Sequence, residues 1–192
     1  MPYKKRIWLP ECYYHVTSRG NRKEVLFQSK SDYQVFLEIL AKVYEQYPFE
    51  VASYCLMSNH YHLQIRSPHV PLSKIMSLVN KRYANYYNAK YSFTGHVFEQ
   101  RFNAKVIFGL GGMLIVSWYI HLNPVAAQIV PTPAHYPWSS YRFYQQNHPA
   151  TTPPDYLNIN TILQRFDGTT EQKKAQYCVS VERSRFQSKR SQ

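Results

Sequence analysis

Ser58-Asn59-His60-Tyr61-His62-Leu63-Gln64-Ile65 places two histidines one residue apart in a run that otherwise reads as a buried strand. Successive strand side chains point to opposite faces, so His60 and His62 share one face while Tyr61 and Leu63 share the other. Two rises of ~3.3 Å set the imidazoles ~6.6 Å apart at their roots, close enough for both rings to tilt onto one divalent ion. Paired strand histidines that make ordinary hydrogen bonds carry the same short pattern, so the motif needs support from the rest of the chain.

Outward from it, residues 49–57 read as another strand, and Ser58-Asn59 is a tight connection that makes the two strands a hairpin. Upstream, residues 31–47 carry Val35, Phe36, Ile39, Leu40 and Val43 at helical spacing, with Ser31 as the expected N-cap and Pro48 as the stop. Residues 12–18 are a first strand, broken by the cationic turn Arg19-Gly20-Asn21-Arg22-Lys23, which is either a phosphate-contacting loop or a solvated one. Downstream, Pro71 opens a second helix with an apolar and aromatic stripe, and Lys74, Lys81 and Arg82 lie on its other faces. After a loop at 88–95, residues 96–108 read as a further strand whose Arg101 and Lys105 can face nucleic acid. The order β-α-β-β-α-β is that of an α+β, ferredoxin-like (split β-α-β) sandwich with an antiparallel sheet, helices on one face and the other face open to a substrate.

Gly109-Leu110-Gly111-Gly112 lacks the phosphate-loop pattern and reads as a flexible connection to an extra helix, from Met113 to about Leu122. On that helix Tyr119 and Asn123 are four apart and share a face, whereas His121 points elsewhere. Pro124 is expected to end the helix and leave Asn123 at or beyond its last turn, with an amide oxygen available as a ligand. Set beside His60 and His62, Asn123 completes a site of two imidazoles and one amide that suits Mg²⁺ or Mn²⁺ when phosphate oxygens fill the shell. Tyr119 is then the expected nucleophile. A free phenol has pKa ~10, so a nearby cation or base has to help it ionise as it attacks a phosphodiester.

The charge supports this. At 192 residues the chain suits one domain with an appendage, divided at 1–146 and 147–192, the latter a Pro-containing linker and basic tail with Arg183 and Arg185. A net charge of +12 favours a polyanion, and 18 tyrosines and 10 phenylalanines among the cations suit stacking on single-stranded nucleic acid. No apolar run reaches membrane-spanning length, no signal peptide follows Lys4, Lys5 and Arg6, and three scattered cysteines suit the cytosol.

The sequence resembles the H-x-H single-tyrosine transposases, specifically the REP-associated tyrosine transposases of bacteria, which are related to small insertion-sequence transposases. The matching pieces are Tyr14 to Arg22, Met57 to Leu63, Arg82-Tyr83-Ala84 with Tyr87-Asn88, Gly95 to Phe102, and Tyr119 to Val125. The resemblance implies strand-specific cleavage and rejoining of single-stranded DNA beside imperfect palindromic hairpins through a 5′-phosphotyrosine. It also implies divalent metal on His60, His62 and Asn123, Tyr119 as nucleophile, and basic terminal segments that grip the hairpin. Arg19, Asn21, Arg22, Arg82, Arg101, Lys105, Arg183 and Arg185 are the expected DNA contacts of a bacterial, cytoplasmic, nucleoid-associated monomer or homodimer. Two other readings remain at this point: a hairpin DNA or RNA binder with cleavage lost, and a metal nuclease that uses water. The chain departs from the family pattern at Ser58, Tyr61 and Trp118, and at the glycines 109, 111 and 112. If inside the helix, these glycines weaken its start by roughly 1 kcal/mol each.

Overall fold

The β-α-β-β-α-β order is present, in a computed structural model that describes residues 8–146 and 152–188 and, at 186–188, the backbone alone. β1 (Tyr14–Arg19), α1 (Lys30–Gln46), β2 (Glu50–Met57), β3 (His60–Arg66), α2 (Leu72–Tyr91) and β4 (Asn103–Val106) form the body. The strands lie in the order β2-β3-β1-β4, every neighbour antiparallel, as the ferredoxin-like pattern requires. The terminal basic residues Lys4, Lys5, Arg6, Lys189 and Arg190 and the first part of the expected linker lie outside the described residues.

One face of the sheet is a packed core. Tyr14, Val16, Leu56, Tyr61, Leu63 and Ile65 meet Phe36, Leu40 and Val43 of α1 and Ile75, Met76, Val79 and Tyr83 of α2. Tyr61 is wholly buried there, and its hydroxyl donates to Asn80 Oδ1 at 2.7 Å, which is why a bulky residue fits between the two histidines. The two helices are tied at their ends by Asp32, whose side chain is fully buried. Asp32 accepts hydrogen bonds from the Ser29 backbone, from Tyr86 and Tyr91 and from Lys90. Burial alone would raise its carboxyl pKa, but these donors hold it down at about 2. The N-cap of α1 is therefore Ser29, not the expected Ser31, because Asp32 three residues on closes the capping box.

The opposite face carries α3 (Gly109–Ala126), which lies across β2 and β3. Ile120 packs on Cys55 and Met57, and the buried Gln64 amide donates to the Met113 carbonyl at 3.0 Å. Two expectations change here. The glycines do not precede the helix but form its first turn, after Phe108, and Gly109 takes a left-handed φ of 62° that favours glycine. Pro124 does not end α3: only its own missing N–H is lost, and Ala127 and Ile129 still donate to Asn123 and Pro124. Asn123 is thus inside the last turn. The strand expected over 96–108 shrinks to β4, and the loop expected from residue 88 starts after α2 ends at Tyr91.

From residue 152 onward the chain contributes structure of its own. After α4 (Tyr141–Tyr144), the short α5 (Asn160–Leu163) and the long α6 (Thr170–Ser188) pack against α3, with Ile162, Leu163, Tyr177 and Val181 buried beside Tyr13, Met113 and Tyr144. Residues 138–140 and 156–158 hydrogen-bond along β2 and so cover that edge of the sheet. The Tyr177 hydroxyl lies 2.6 Å from both Ser117 Oγ and His121 Nδ1, and His121 Nε2 lies 2.8 Å from Ser140 Oγ. All these side chains are buried, so α6 fastens α3 through a shared hydroxyl. Replacing Tyr177 by Phe leaves Ser117 and His121 without that partner. It should lower stability by about 1–3 kcal/mol, read as a lower urea midpoint; an unchanged midpoint would mean the hydroxyl does not hold the helix.

Candidate active site

Alternation along the two middle strands assembles the site. On β3, His60 and His62 face α3; on β1, His15, Thr17 and Arg19 face the same way, with Arg19 opposite His60 and Thr17 opposite His62. On β4, Asn103 pairs with Thr17 and Lys105 with His15. A cleft of about 380 Å³ runs over this face, lined by His15, His60, His62, Arg19, Lys105 and Tyr119 among others.

Tyr119 projects from α3 over the cleft. Its ring meets the His15 and His62 rings edge-on, with centroids 5.6 and 5.5 Å apart, and the residue stays 53% exposed. His60 and His62 have centroids 4.9 Å apart. The protons of His60 can be assigned from its neighbour: the Asn59 amide nitrogen donates to the Lys23 carbonyl, so its oxygen, 2.7 Å from His60 Nδ1, accepts from that nitrogen. His60 Nε2 therefore holds a lone pair. His62 is only 5% exposed; its Nδ1 lies 2.9 Å from His15 Nε2, and its Nε2 is buried without a hydrogen-bond partner. His60 Nε2 is thus available to a cation, and His62 Nε2 is open to one when the ring's proton sits on Nδ1.

Burial keeps these rings neutral. It lowers the pKa of His62 to about 3, helped by His60 and His15. It also lowers His60, with Arg19 adding to the effect, and His15, with Lys105 adding. A neutral imidazole is the form that ligates metal.

Of the expected site residues, the fold brings His60, His62, Tyr119, Arg19, Arg101 and Lys105 to one cleft. Asn123 does not line it: its Nδ2 donates to the Tyr119 carbonyl at 2.8 Å, which folds the side chain back on its own helix. Arg82 also lies elsewhere, on α2 in the layer behind the sheet, where it donates to Gln46 of α1. Asn21 and Arg22 sit in the turn after β1, and Arg183 and Arg185 on α6; none of the four lines the cleft. Arg19 is paired with Glu99 at 2.8 Å, a carboxylate that sequence reasoning did not connect to it across eighty residues. His15 was also missed, although its alternation with Thr17 and Arg19 was legible. A larger groove of about 1460 Å³ meets the cleft along Glu99, Gln100 and Arg101 and is walled by Trp8, Lys81 and Phe98 among others.

Residues 9–123 match the family model for IS200-like transposases. Among solved structures, the chain is similar to a REP-associated tyrosine transposase bound to a REP hairpin, with a TM-score of 0.63 and 19% identity over 74% of this chain and 84% of that one. At that identity the likeness is one of fold. Looser likenesses are to a transposase structure from Deinococcus radiodurans (TM-score 0.42, 15% identity, 61% of this chain and 95% of that one) and to the tRNA(His) guanylyltransferase of Saccharomyces cerevisiae (0.47, 10%, 92% and 80%). No curated protein matches the chain. Among the described residues, no helix is long and apolar enough to cross a membrane.

The depressed histidine pKa values have a consequence for stability. Unfolding returns His62 to its ordinary value of 6.5, so below that pH the unfolded chain binds a proton that the folded chain refuses. Its contribution therefore leaves stability untouched above pH 6.5 and lowers it progressively as pH falls toward 3. His62→Gln should make the decline between about pH 6 and 4 shallower by roughly 1 kcal/mol per pH unit in urea titrations. Parallel slopes for the two proteins would show that the ring is not kept neutral by the fold.

Proposed function

Because this chain belongs to the IS200-like transposase family, we propose that it cleaves and rejoins single-stranded DNA beside an imperfect palindromic hairpin, with Tyr119 as the nucleophile. The observation that carries the proposal is the Tyr119 ring, set against His15 and His62 above a cleft lined by Arg19, Arg101 and Lys105. A hairpin enters the proposal because the similar transposase was solved with a REP hairpin bound. A single strand suits the adjoining groove, where Trp8 and Phe98 accompany Lys81 and Arg101.

Arg101 and Lys105, with Arg19 held beside them by Glu99, hold the scissile phosphodiester by charge, and Tyr119 Oη attacks its phosphorus. A bond forms from the phenolic oxygen to phosphorus while the bond to the 3′ oxygen breaks. The phenol gives up its proton, and the departing 3′ oxygen takes one up. The products are a 5′-phosphotyrosine and a 3′-hydroxyl, and attack by a 3′-hydroxyl on the phosphotyrosine reverses the step and rejoins DNA.

The donor set fits a divalent ion. The buried, unpartnered Nε2 of His62 and the Nε2 lone pair of His60 are two donors. Among the described residues there is no cluster of three His, Cys, Asp or Glu that could hold a metal ion, and in this proposal an amide supplies the third protein ligand. Asn123 would do so once its Nδ2 releases the Tyr119 carbonyl. Mg²⁺ or Mn²⁺, when bound there, supplies Lewis-acid polarisation of the phosphodiester.

With labelled hairpin DNA and Mn²⁺, a denaturing gel should show a protein-linked label that disappears in Tyr119→Phe while the native gel shift persists. Cut DNA released without a protein link would point to hydrolysis, and a gel shift without cleavage to binding alone. Affinity for the hairpin should also fall steeply with salt, by about 10³-fold between roughly 50 and 200 mM if six phosphates are engaged. A flat titration would contradict a phosphate-tracking surface.

A further inference from the structure

We propose that His15 is a positioning residue: its Nε2 accepts the proton of His62 Nδ1 and so holds His62 in the tautomer whose Nε2 lone pair is available to a cation. The inference rests on the reading of His62 as a metal ligand. The two nitrogens are 2.9 Å apart, and the rings lie stacked, with centroids 5.2 Å apart and planes 20° from parallel. A line between two imidazole nitrogens carries one proton, in one of two arrangements. If His15 donated, the proton of His62 would sit on Nε2, and a buried N–H would have no acceptor. If His62 donates, Nε2 presents a lone pair that an ion can take up. His60 has the same device from another source, because the Asn59 amide oxygen accepts from its Nδ1. Each histidine of the pair thus has its back nitrogen held by a neighbour, one from the hairpin turn and one from β1.

The ring of His15 also touches Tyr119, at a centroid distance of 5.6 Å. One side chain on β1 therefore contacts both the ligand and the nucleophile, and a change at residue 15 reaches both.

The first test needs no variant. In the full-length, metal-free protein with ¹⁵N-labelled histidine, long-range ¹H–¹⁵N spectra should show His62 protonated on Nδ1 and bare on Nε2. A wild-type His62 protonated on Nε2 overturns the proposal. His15→Phe keeps a ring but removes the acceptor; it should mix the two tautomers and weaken Mn²⁺ binding, read by calorimetry, by about tenfold or more. His15→Gln returns an acceptor at the reach of Nε2 and should restore most of that affinity. If the tautomer and the Mn²⁺ affinity are unchanged in His15→Phe, His15 does not position His62. The two possible failures separate: a protein that binds no Mn²⁺ yet loses the Nδ1–H tautomer in His15→Phe supports the positioning role and rejects the metal.

Discussion

Side chains alternate across β1 and β3, and because these are the middle strands of the sheet, every residue packed against α1 and α2 has sequence neighbours that face α3. Val16, Tyr61 and Leu63 are buried in the core, and their burial fixes the register. A slip by one residue would turn Tyr61 and Leu63 out and His60 and His62 in. The site is thus held by hydrophobic burial on the far side of the sheet. The histidines need no local strain to meet; they are where the core puts them.

The nucleophile candidate is held differently. Tyr119 comes from a helix with glycines in its first turn, and nothing in those residues favours a rigid start. Its position depends on Met113 and Ile120 against the sheet, and on the Tyr177 hydroxyl that binds Ser117 and His121 on either side of Tyr119. A chain end that reads as linker and tail therefore helps place a catalytic candidate. The two imidazoles are thus fixed by the sheet, and the phenol by a separately anchored helix.

Much of this was legible in the sequence. The H-x-H pair, the hairpin around Ser58-Asn59 and the six-element order follow from local periodicity and turn residues, and periodicity also puts Tyr119 and His121 on different sides of their helix. What was not legible depends on long-range pairing. His15 becomes a partner of His62 only once β1 lies beside β3, and Glu99 reaches Arg19 only through the fold. α6 falls in the stretch that reads as linker and basic tail because its buried residues Tyr177 and Val181 are sparse among polar ones, and only their contacts with α3, α4 and α5 reveal what they do. Asn123 shows the reverse case: its spacing from Tyr119 was right, but the same spacing lets its amide bond the Tyr119 carbonyl instead of the cleft.

The central claim is that the phenol of Tyr119, over the paired imidazoles, becomes bonded to DNA. Mass spectrometry of a digested protein–DNA adduct tests it most directly, by locating the bond. The account predicts a peptide containing Tyr119 that carries the 5′-phosphate of the cleaved strand. A nucleotide on any other residue, or a cleaved strand with a free 5′-phosphate and unmodified Tyr119, would contradict it.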